Sequence, residues 1–259
     1  MNLVLDVGNS QIHGGLFREG ELVSDFRRST FSEATEDEFG LFLKQILREW
    51  DCAAGEPVSV GLASVVPSLT TAITSGIQKY LRVDPFILRP GKKTGLQIRT
   101  KSPAEVGADR IACCIGAMEA FPGENLIVVD LGTATTFEVI SAGGAFLGGV
   151  IAPGLRVSME ALSRRTAQLP AVNIEVPERA LGKDTITNIQ SGLFYGHVGM
   201  IRELLPRLRL EGFGEGENCR ILGTGGYADL LDTERLFDAV DPYLVLRGIH
   251  RATELNANP

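Results

Sequence analysis

The apolar positions fall into short continuous runs broken by glycine and small polar residues, the mark of strands buried on both faces, with helical-period segments between them. Leu3–Val7 is such a run and stops at Gly8-Asn9-Ser10. Ile12–Phe17 and Glu21–Arg27 read as further strands joined at Glu19-Gly20. A helix follows. Thr35 with Glu38 makes a capping box, and Phe39, Phe42, Leu43, Ile46, Leu47 and Trp50 keep the 3.6-residue period. Val58–Val66 reads as a strand ending at Pro67, Thr70–Leu81 as a helix, Phe86–Leu88 as a brief strand and Glu105–Ala120 as a helix.

The opening order then repeats. Leu126–Leu131 ends in Asp130-Leu131-Gly132-Thr133, as Leu3–Val7 ends in Asp6-Val7-Gly8-Asn9. A second strand follows each time, Ile12–Phe17 in one half and Thr135–Ile140 in the other. A third follows a glycine, Glu21–Arg27 and Ala145–Ile151. Asp6 and Asp130 lie about half the chain apart, so the pattern predicts a duplicated α/β unit with a cleft between the copies. Leu155–Thr166 and Thr185–Leu205 read as helices, Arg220–Leu222 as a strand, and Gly212–Gly216 as a surface loop.

Composition narrows the function classes. Apolar residues are 44% and charged residues 22% of 259, which excludes disorder as the main state. A net charge of −7 argues against a dedicated nucleic-acid binder, whose affinity rests on a basic surface. The first residues carry no basic region, and an acid interrupts the first apolar run, so no signal peptide is expected. No apolar stretch is long enough to span a membrane. Cys52, Cys113, Cys114 and Cys219 form no Cys-x-x-Cys pair, so they read as small hydrophobes in a cytoplasmic protein rather than a zinc site. Thirty glycines exceed the usual share of about 7% and point to tight turns or close backbone approach to ligands.

The candidate chemistry sits at strand ends. In Asp-x-Gly followed by a small polar residue, glycine lets backbone N–H groups approach a phosphate, and the strand-terminal carboxylate can hold a hydrated cation. Two such motifs, each opening a half, suggest a nucleotide phosphate clamp; ordinary hairpin turns would look alike locally. Pro103–Arg110 reads as a helix start with Ser102 as N-cap, placing Asp109 and Arg110 on the helix and Gly107 where it opens space for a ligand. From Arg89 to Arg110 there are six bases and two acids, a local +4 that would attract an anion; a solvated loop would show the same charge. Gly223-Thr224-Gly225-Gly226 is a third glycine loop, suited to a ribose or adenine. Gly91-Lys92-Lys93-Thr94 lacks the earlier glycine of a P-loop, having Phe86 there, and no Gly-x-Ser-x-Gly elbow occurs. His13, His197 and His250 have no metal-ligand spacing, and His197 reads as a core histidine.

These segments together resemble the type III pantothenate kinase family. The resemblance rests on Asp6-Val7-Gly8-Asn9-Ser10, Gly107-Ala108-Asp109-Arg110, Asp130–Thr136, Gly148–Gly154, Gly182-Lys183-Asp184-Thr185, Ser191–Gly196 and Thr224-Gly225-Gly226, in order over nearly the whole chain. It implies the acetate and sugar kinase, heat-shock chaperone and actin superfamily, with two duplicated ribonuclease-H-like domains (βββαβαβα) and an interdomain cleft. The domains would be residues 1–116 and 117–259, the last helix packing back on the first. It implies ATP-dependent phosphorylation of pantothenate to 4′-phosphopantothenate, the first step towards coenzyme A, in a cytoplasmic homodimer whose pocket lies at the subunit interface. ATP would be bound by Asp6, Val7, Gly8, Asn9, Ser10, Gln11, Ile12, His13 and Thr133. Pantothenate would be bound by Gly107, Ala108, Asp109 and Arg110, with Thr185 from the neighbouring subunit. Asp109 would be the catalytic base. Asp130 would hold a monovalent cation, K+ or NH4+, beside Mg2+ or another divalent ion. Three departures stand out: Ser10 for the family's threonine, Glu138 for its aspartate and Thr100 for a frequent tyrosine. The competing readings are a non-catalytic regulatory relative, a chaperone or filament ATPase, and a sugar kinase of the same superfamily. Damaged phosphate loops would mark the first and extra length the second; neither is seen in the sequence.

Overall fold

The computed structural model describes residues 1–31, 33–50, 52 and 58–257. In chain order the elements are β1 (Asn2–Val7), β2 (Gln11–Arg18), β3 (Glu21–Ser29), α1 (Glu36–Glu49), β4 (Ser59–Ser64), α2 (Pro67–Leu81), β5 (Phe86–Ile87), β6 (Gln97–Ile98), a 3-10 turn (Pro103–Glu105), α3 (Ala108–Ala120), β7 (Leu126–Leu131), β8 (Ala134–Ser141), β9 (Ala145–Pro153), α4 (Leu155–Arg165), α5 (Thr185–Phe213), β10 (Arg220–Thr224), α6 (Ala228–Asp232), β11 (Ala239–Val240) and α7 (Leu244–Ala257). They form two compact units. One holds Met1–Leu96, Lys101–Glu119 and the chain from Leu244 onward; the other holds Gln97–Thr100 and Ala120–Tyr243.

The first unit is built on a sheet of order β3-β2-β1-β4-β5. β1 and β2 pair antiparallel, as do β2 and β3, while β1 pairs parallel with β4 and β4 with β5. Leu3, Val4, Leu5 and Val7 are all fully buried, as a central strand covered on both faces requires. β3, at the edge, alternates exposed and half-buried positions. On one face Phe39, Leu43, Ile73 and Ile77 of α1 and α2 pack with Leu3, Leu5, Val7 and Ile12. Each such side chain contributes roughly 1.5–3 kcal/mol by leaving water. The predicted capping box is present: Thr35 Oγ1 accepts from the Glu38 amide at 3.2 Å, and the Glu38 carboxylate accepts from the Thr35 amide at 2.8 Å. α7 packs on β1 and β4 and also meets α3. That helix contact is close because a Cβ at Gly116 would overlap the Leu244 carbonyl, and one at Gly248 the Ala112 carbonyl.

The second unit repeats the plan. Its sheet runs β11-β10-β7-β8-β9-β6, so β9-β8-β7-β10-β11 reproduces the order and the parallel and antiparallel pairings of the first unit. The duplication read from the two Asp-x-Gly strands is therefore a duplication of topology. β6, which pairs parallel with β9, has no counterpart and was not expected; two residues carry too little pattern to show. The core lies between β7, β8 and the helices α4, α5 and α6, with Phe137, Phe194, Ile201 and Leu231 at its centre.

Several boundaries differ from the sequence expectation, among them the start of α2, at Pro67 rather than Thr70. The helix read from Glu105 begins at Ala108; Ser102 makes no side-chain capping bond, and Pro103–Glu105 is a separate 3-10 turn ended by extended Val106. The expected stop at Leu205 is not a stop. α5 continues through Pro206 to Phe213, because Leu208 and Phe213 keep packing on the core, and it ends at Gly214 with φ 97°. Gly212 and Phe213, expected in a loop, lie on that last turn. His197 is a core histidine, 8% exposed, with Nδ1 and Nε2 at 3.0 and 3.2 Å from the carbonyls of Leu193 and Pro153.

Candidate active site

In the first unit the β1–β2 hairpin carries Asp6 through His13. Asp6 stands directly across from His13 in the antiparallel register, so both side chains project to one face of the sheet. The loop between is pinned on three sides. The Gly8 amide donates to the Gln11 carbonyl at 3.0 Å, Thr30 Oγ1 donates to the Gly8 carbonyl at 2.7 Å, and the Thr30 amide donates to Ser10 at 3.1 Å. Asn9, Ser10 and Gln11 remain exposed. Thr30, just beyond β3, was not among the expected site residues; its sequence neighbourhood carries no glycine signal, and only strand pairing brings it to Gly8.

His13 is braced from β3. Its Nε2 lies 3.1 Å from Asp25 Oδ2, and Gln11 Oε1 accepts from Arg27 at 3.3 Å. Burial, helped by Arg27, holds the imidazole below its usual range, while Asp25 pulls the other way. The balance favours the neutral ring beside the Asp6–Gln11 turn.

The Gly107–Arg110 segment sits at the start of α3. The Gly107 carbonyl accepts from the Ile111 amide at 3.1 Å, which makes Gly107 the residue that opens the helix. Asp109 Oδ1 accepts from the Arg110 amide at 2.8 Å and occupies the space a Cβ on Gly107 would need. The bare α-carbon of Gly107 makes room for the Asp109 carboxylate. Ala108 is buried, while Asp109 and Arg110 are half-buried. Val65 links this segment to the β1–β2 hairpin. Its amide donates to the Val7 carbonyl at 3.1 Å, and its side chain would lie 3.6 Å from a Cβ on Gly107.

In the second unit Asp130 is the penultimate residue of β7, the position Asp6 has in β1. Its hairpin is one residue shorter, with Leu131 opposite Thr135 where Val7 is opposite Ile12. The Gly132 amide donates to the Ala134 carbonyl at 3.0 Å, and the Gly154 amide donates to the Thr133 carbonyl at 3.2 Å. A Cβ on Gly154 would collide with the Gly132 and Thr133 carbonyls, so the entry to α4 lies directly on this turn. The third glycine loop also arrives here. Gly225, at φ 88°, lies so close to Asp130 Oδ1 that a Cβ would collide with it, and Thr224 Oγ1 donates to the Asp241 carbonyl at 2.7 Å. Glu138 is fully buried on β8, two residues from Thr136, the partner of Asp130. Thr185 is exposed as the first residue of α5, whose N-cap Asp184 accepts from the Thr187 amide at 2.9 Å.

Asp6–His13 and Gly107–Arg110 thus belong to one unit, and Asp130, Thr133 and Thr185 to the other. Both Asp-x-Gly turns offer hard carboxylate oxygen at a strand end, the donor chemistry suited to Mg2+ or K+. Among the described residues no group of three or more His, Cys, Asp or Glu could hold a metal ion by itself. A kinase magnesium fits such a donor set, since it takes one or two carboxylates and completes its shell with phosphate oxygens and water. No helix of the described residues is long and apolar enough to cross a membrane.

Comparison with known proteins bears on this geometry. A sequence profile described as "Type III pantothenate kinase" matches residues 2–207. A protein of that name from Legionella pneumophila (strain Corby) is 48% identical over 256 residues, covering 99% of both chains. Another, from Elusimicrobium minutum, is 42% identical over 256 residues with the same coverage. Among solved structures, a protein described as a 2-dehydro-3-deoxygalactonokinase from Sinorhizobium meliloti superposes with a TM-score of 0.61 at 12% identity, covering 98% of this chain and 96% of that one. That likeness speaks to the fold of two ribonuclease-H-like domains. With a match over most of its length and relatives above 40% identity along the full chain, this protein belongs to the type III pantothenate kinase family.

Proposed function

We propose the following division of labour for the reaction of this family, the ATP-dependent phosphorylation of pantothenate to 4′-phosphopantothenate in coenzyme A biosynthesis. Asp6, Val7, Gly8, Asn9, Ser10, Gln11, Ile12 and His13 form the first phosphate-binding segment for ATP, and Thr133 contacts ATP from the second Asp-x-Gly turn. Asp6 supplies the carboxylate for the divalent cation. When bound, that cation neutralises charge on the phosphate oxygens. Asp130 holds a monovalent cation, K+ or NH4+, in line with the close packing of Gly225 on its carboxylate.

Gly107, Ala108, Asp109 and Arg110 bind pantothenate, and Asp109 is the base. The primary hydroxyl oxygen of pantothenate attacks the γ-phosphorus, the bond from that phosphorus to the bridging oxygen of ADP breaks, and the hydroxyl proton passes to the Asp109 carboxylate. Phosphoryl transfer asks mainly for positioning and charge neutralisation, so a carboxylate is base enough. The observation that carries the assignment is the Gly107–Asp109 contact. One oxygen of Asp109 is tethered to the Arg110 amide and lodged against Gly107, which fixes the carboxylate at the helix start. The basic run from Arg89 to Arg110 attracts the anionic acid.

The working form is a cytoplasmic homodimer in which Thr185 of one copy reaches the pantothenate site of the other. A non-catalytic role is not favoured, because Asp6, Gly8, Asp109, Asp130 and Gly132 are all in place.

The deciding experiment is ADP release with pantothenate, with and without K+, for the natural protein and Asp109→Asn. Turnover that depends on pantothenate and collapses in the variant supports the assignment; turnover without pantothenate, or full activity in the variant, refutes it. Sedimentation tests the dimer: a fully active monomer would remove Thr185 from the site.

A further inference from the structure

Thr133 is exposed at the tip of the β7–β8 turn, and its carbonyl is held from outside that hairpin. The donor is the amide of Gly154, the N-cap of α4, at 3.2 Å. A trans peptide group is planar, with its carbonyl and its N–H pointing in opposite directions. The group that reaches Thr133 is the Pro153–Gly154 peptide. Its own oxygen, the Pro153 carbonyl, lies 3.2 Å from Nε2 of His197 on α5. One rigid unit is thus gripped on both sides, by His197 at its oxygen and by Thr133 at its nitrogen. With a proton on Nε2 the ring donates to that oxygen, which polarises the peptide and strengthens the bond its N–H makes to Thr133.

The surroundings leave this peptide little freedom. Pro153 stands opposite Ala134 in the β8–β9 register, and the Gly132 amide donates to the Ala134 carbonyl at 3.0 Å. A Cβ on Gly154 would collide with the carbonyls of Gly132 and Thr133, so a tilt of the peptide is passed directly to the turn. Apolar packing alone would hold α4 near α5, since Leu155 is buried in one core with Phe194 and Val198. A leucine at 197 would fill that space as well. The imidazole is buried there instead, which is costly unless its nitrogens find partners. Nδ1 lies 3.0 Å from the Leu193 carbonyl, within its own helix, whereas Nε2 joins α5 to the entry of α4. A donor aimed at a single carbonyl adds direction to packing, and so fixes the tilt of one peptide.

We propose that His197 is a positioning residue for ATP binding, holding the Pro153–Gly154 peptide so that the turn presents Thr133 in one place. This rests on the reading of Thr133 as an ATP contact. His197 acts through the peptide and not on the nucleotide.

The test uses the full chain and steady-state kinetics with each substrate varied. His197→Leu keeps the site filled and removes the donor. The expected result is a KM for ATP raised about 5-fold, with the KM for pantothenate changed less than about 2-fold. His197→Gln, whose amide nitrogen reaches about as far as Nε2, should return the ATP KM to within about 2-fold of the natural value. His197→Asn is also polar but reaches only as far as Nδ1, so it should behave like His197→Leu. The Gln and Asn pair carries the test if His197→Leu does not fold. An unchanged ATP KM in a folded His197→Leu, both KM values raised alike, or Gln and Asn variants that cannot be told apart overturns the proposal and leaves a purely structural histidine. Thr133→Ala separates the two levels. If it raises the ATP KM while the His197 variants do not, the relay is wrong and the reading of Thr133 stands; if it leaves that KM unchanged, the reading of Thr133 itself fails.

Discussion

The Asp109 carboxylate occupies the place that a side chain on Gly107 would take, with one oxygen held by the Arg110 amide at 2.8 Å. Glycine at 107 is therefore a condition for the orientation of Asp109, two residues away. Gly107→Ala should displace the carboxylate while α3 still forms, lowering kcat by about 10²-fold or more, since general-base positioning is worth about 10²–10⁴. Asp109→Asn should lose at least as much. Circular dichroism and steady-state ADP release on both variants check the pair; a fully active Gly107→Ala would show that the contact does not matter.

Thr30 reaches the phosphate loop from the end of β3. Thr30→Val removes its 2.7 Å bond to the Gly8 carbonyl while keeping the shape, at a cost of about 1 kcal/mol. The expected outcome is a KM for ATP raised several-fold with the KM for pantothenate unchanged. Equal changes in both constants would place Thr30 outside the loop's function.

Gly225 combines φ 88° with direct contact on the Asp130 carboxylate. Gly225→Ala should cost about 1 kcal/mol or more from the left-handed backbone alone, read as a lower midpoint in urea unfolding. It should also raise the K+ concentration needed for half-maximal activity, because the carboxylate must move. A K+ response identical to the natural protein's would separate Gly225 from the cation site.

Two histidines predict the acid limb of stability. Burial lowers the pKa of His13 below 6.5, aided by Arg27 and opposed by Asp25. Burial also lowers that of His250, aided by Arg251, Arg247 and the N-terminal amine and opposed by Glu254. A histidine that is harder to protonate in the fold than in the unfolded chain gives the unfolded chain the greater proton uptake on acidification. Stability from these groups is therefore complete above pH 6.5 and is lost as the pH falls through and below that value. Urea unfolding at pH 7.5 and at pH 5.5 should show the loss, and His13→Gln should reduce it. An unchanged slope in the variant would mean that His13 titrates alike in both states.

Much of this protein was legible as a pattern. The buried runs at Leu3–Val7 and Leu126–Leu131, each closing in Asp-x-Gly, reveal the duplication because a strand covered on both faces leaves no other choice of residue. The Thr35–Glu38 capping box is local chemistry and appears as read. Asp6, Asp109 and Asp130 announce themselves by the glycine two positions after or before them. Other features depend on what packs against what. Pro206 should have closed a helix, but the core contacts of Leu208 and Phe213 carry α5 past it. Ser102 and Pro103 look like a helix start, yet the chain turns extended at Val106 and the helix begins at Ala108. Thr30, Asp25 and Val65 join the Asp6–His13 hairpin only through strand pairing. By itself the sequence determined the longer strands, the repeat and the acids, because burial and turn geometry act over a few neighbouring residues. Which backbone groups meet across the sheet, and which bare α-carbon admits which carboxylate, was decided by tertiary structure, because those contacts join residues that chain order keeps apart.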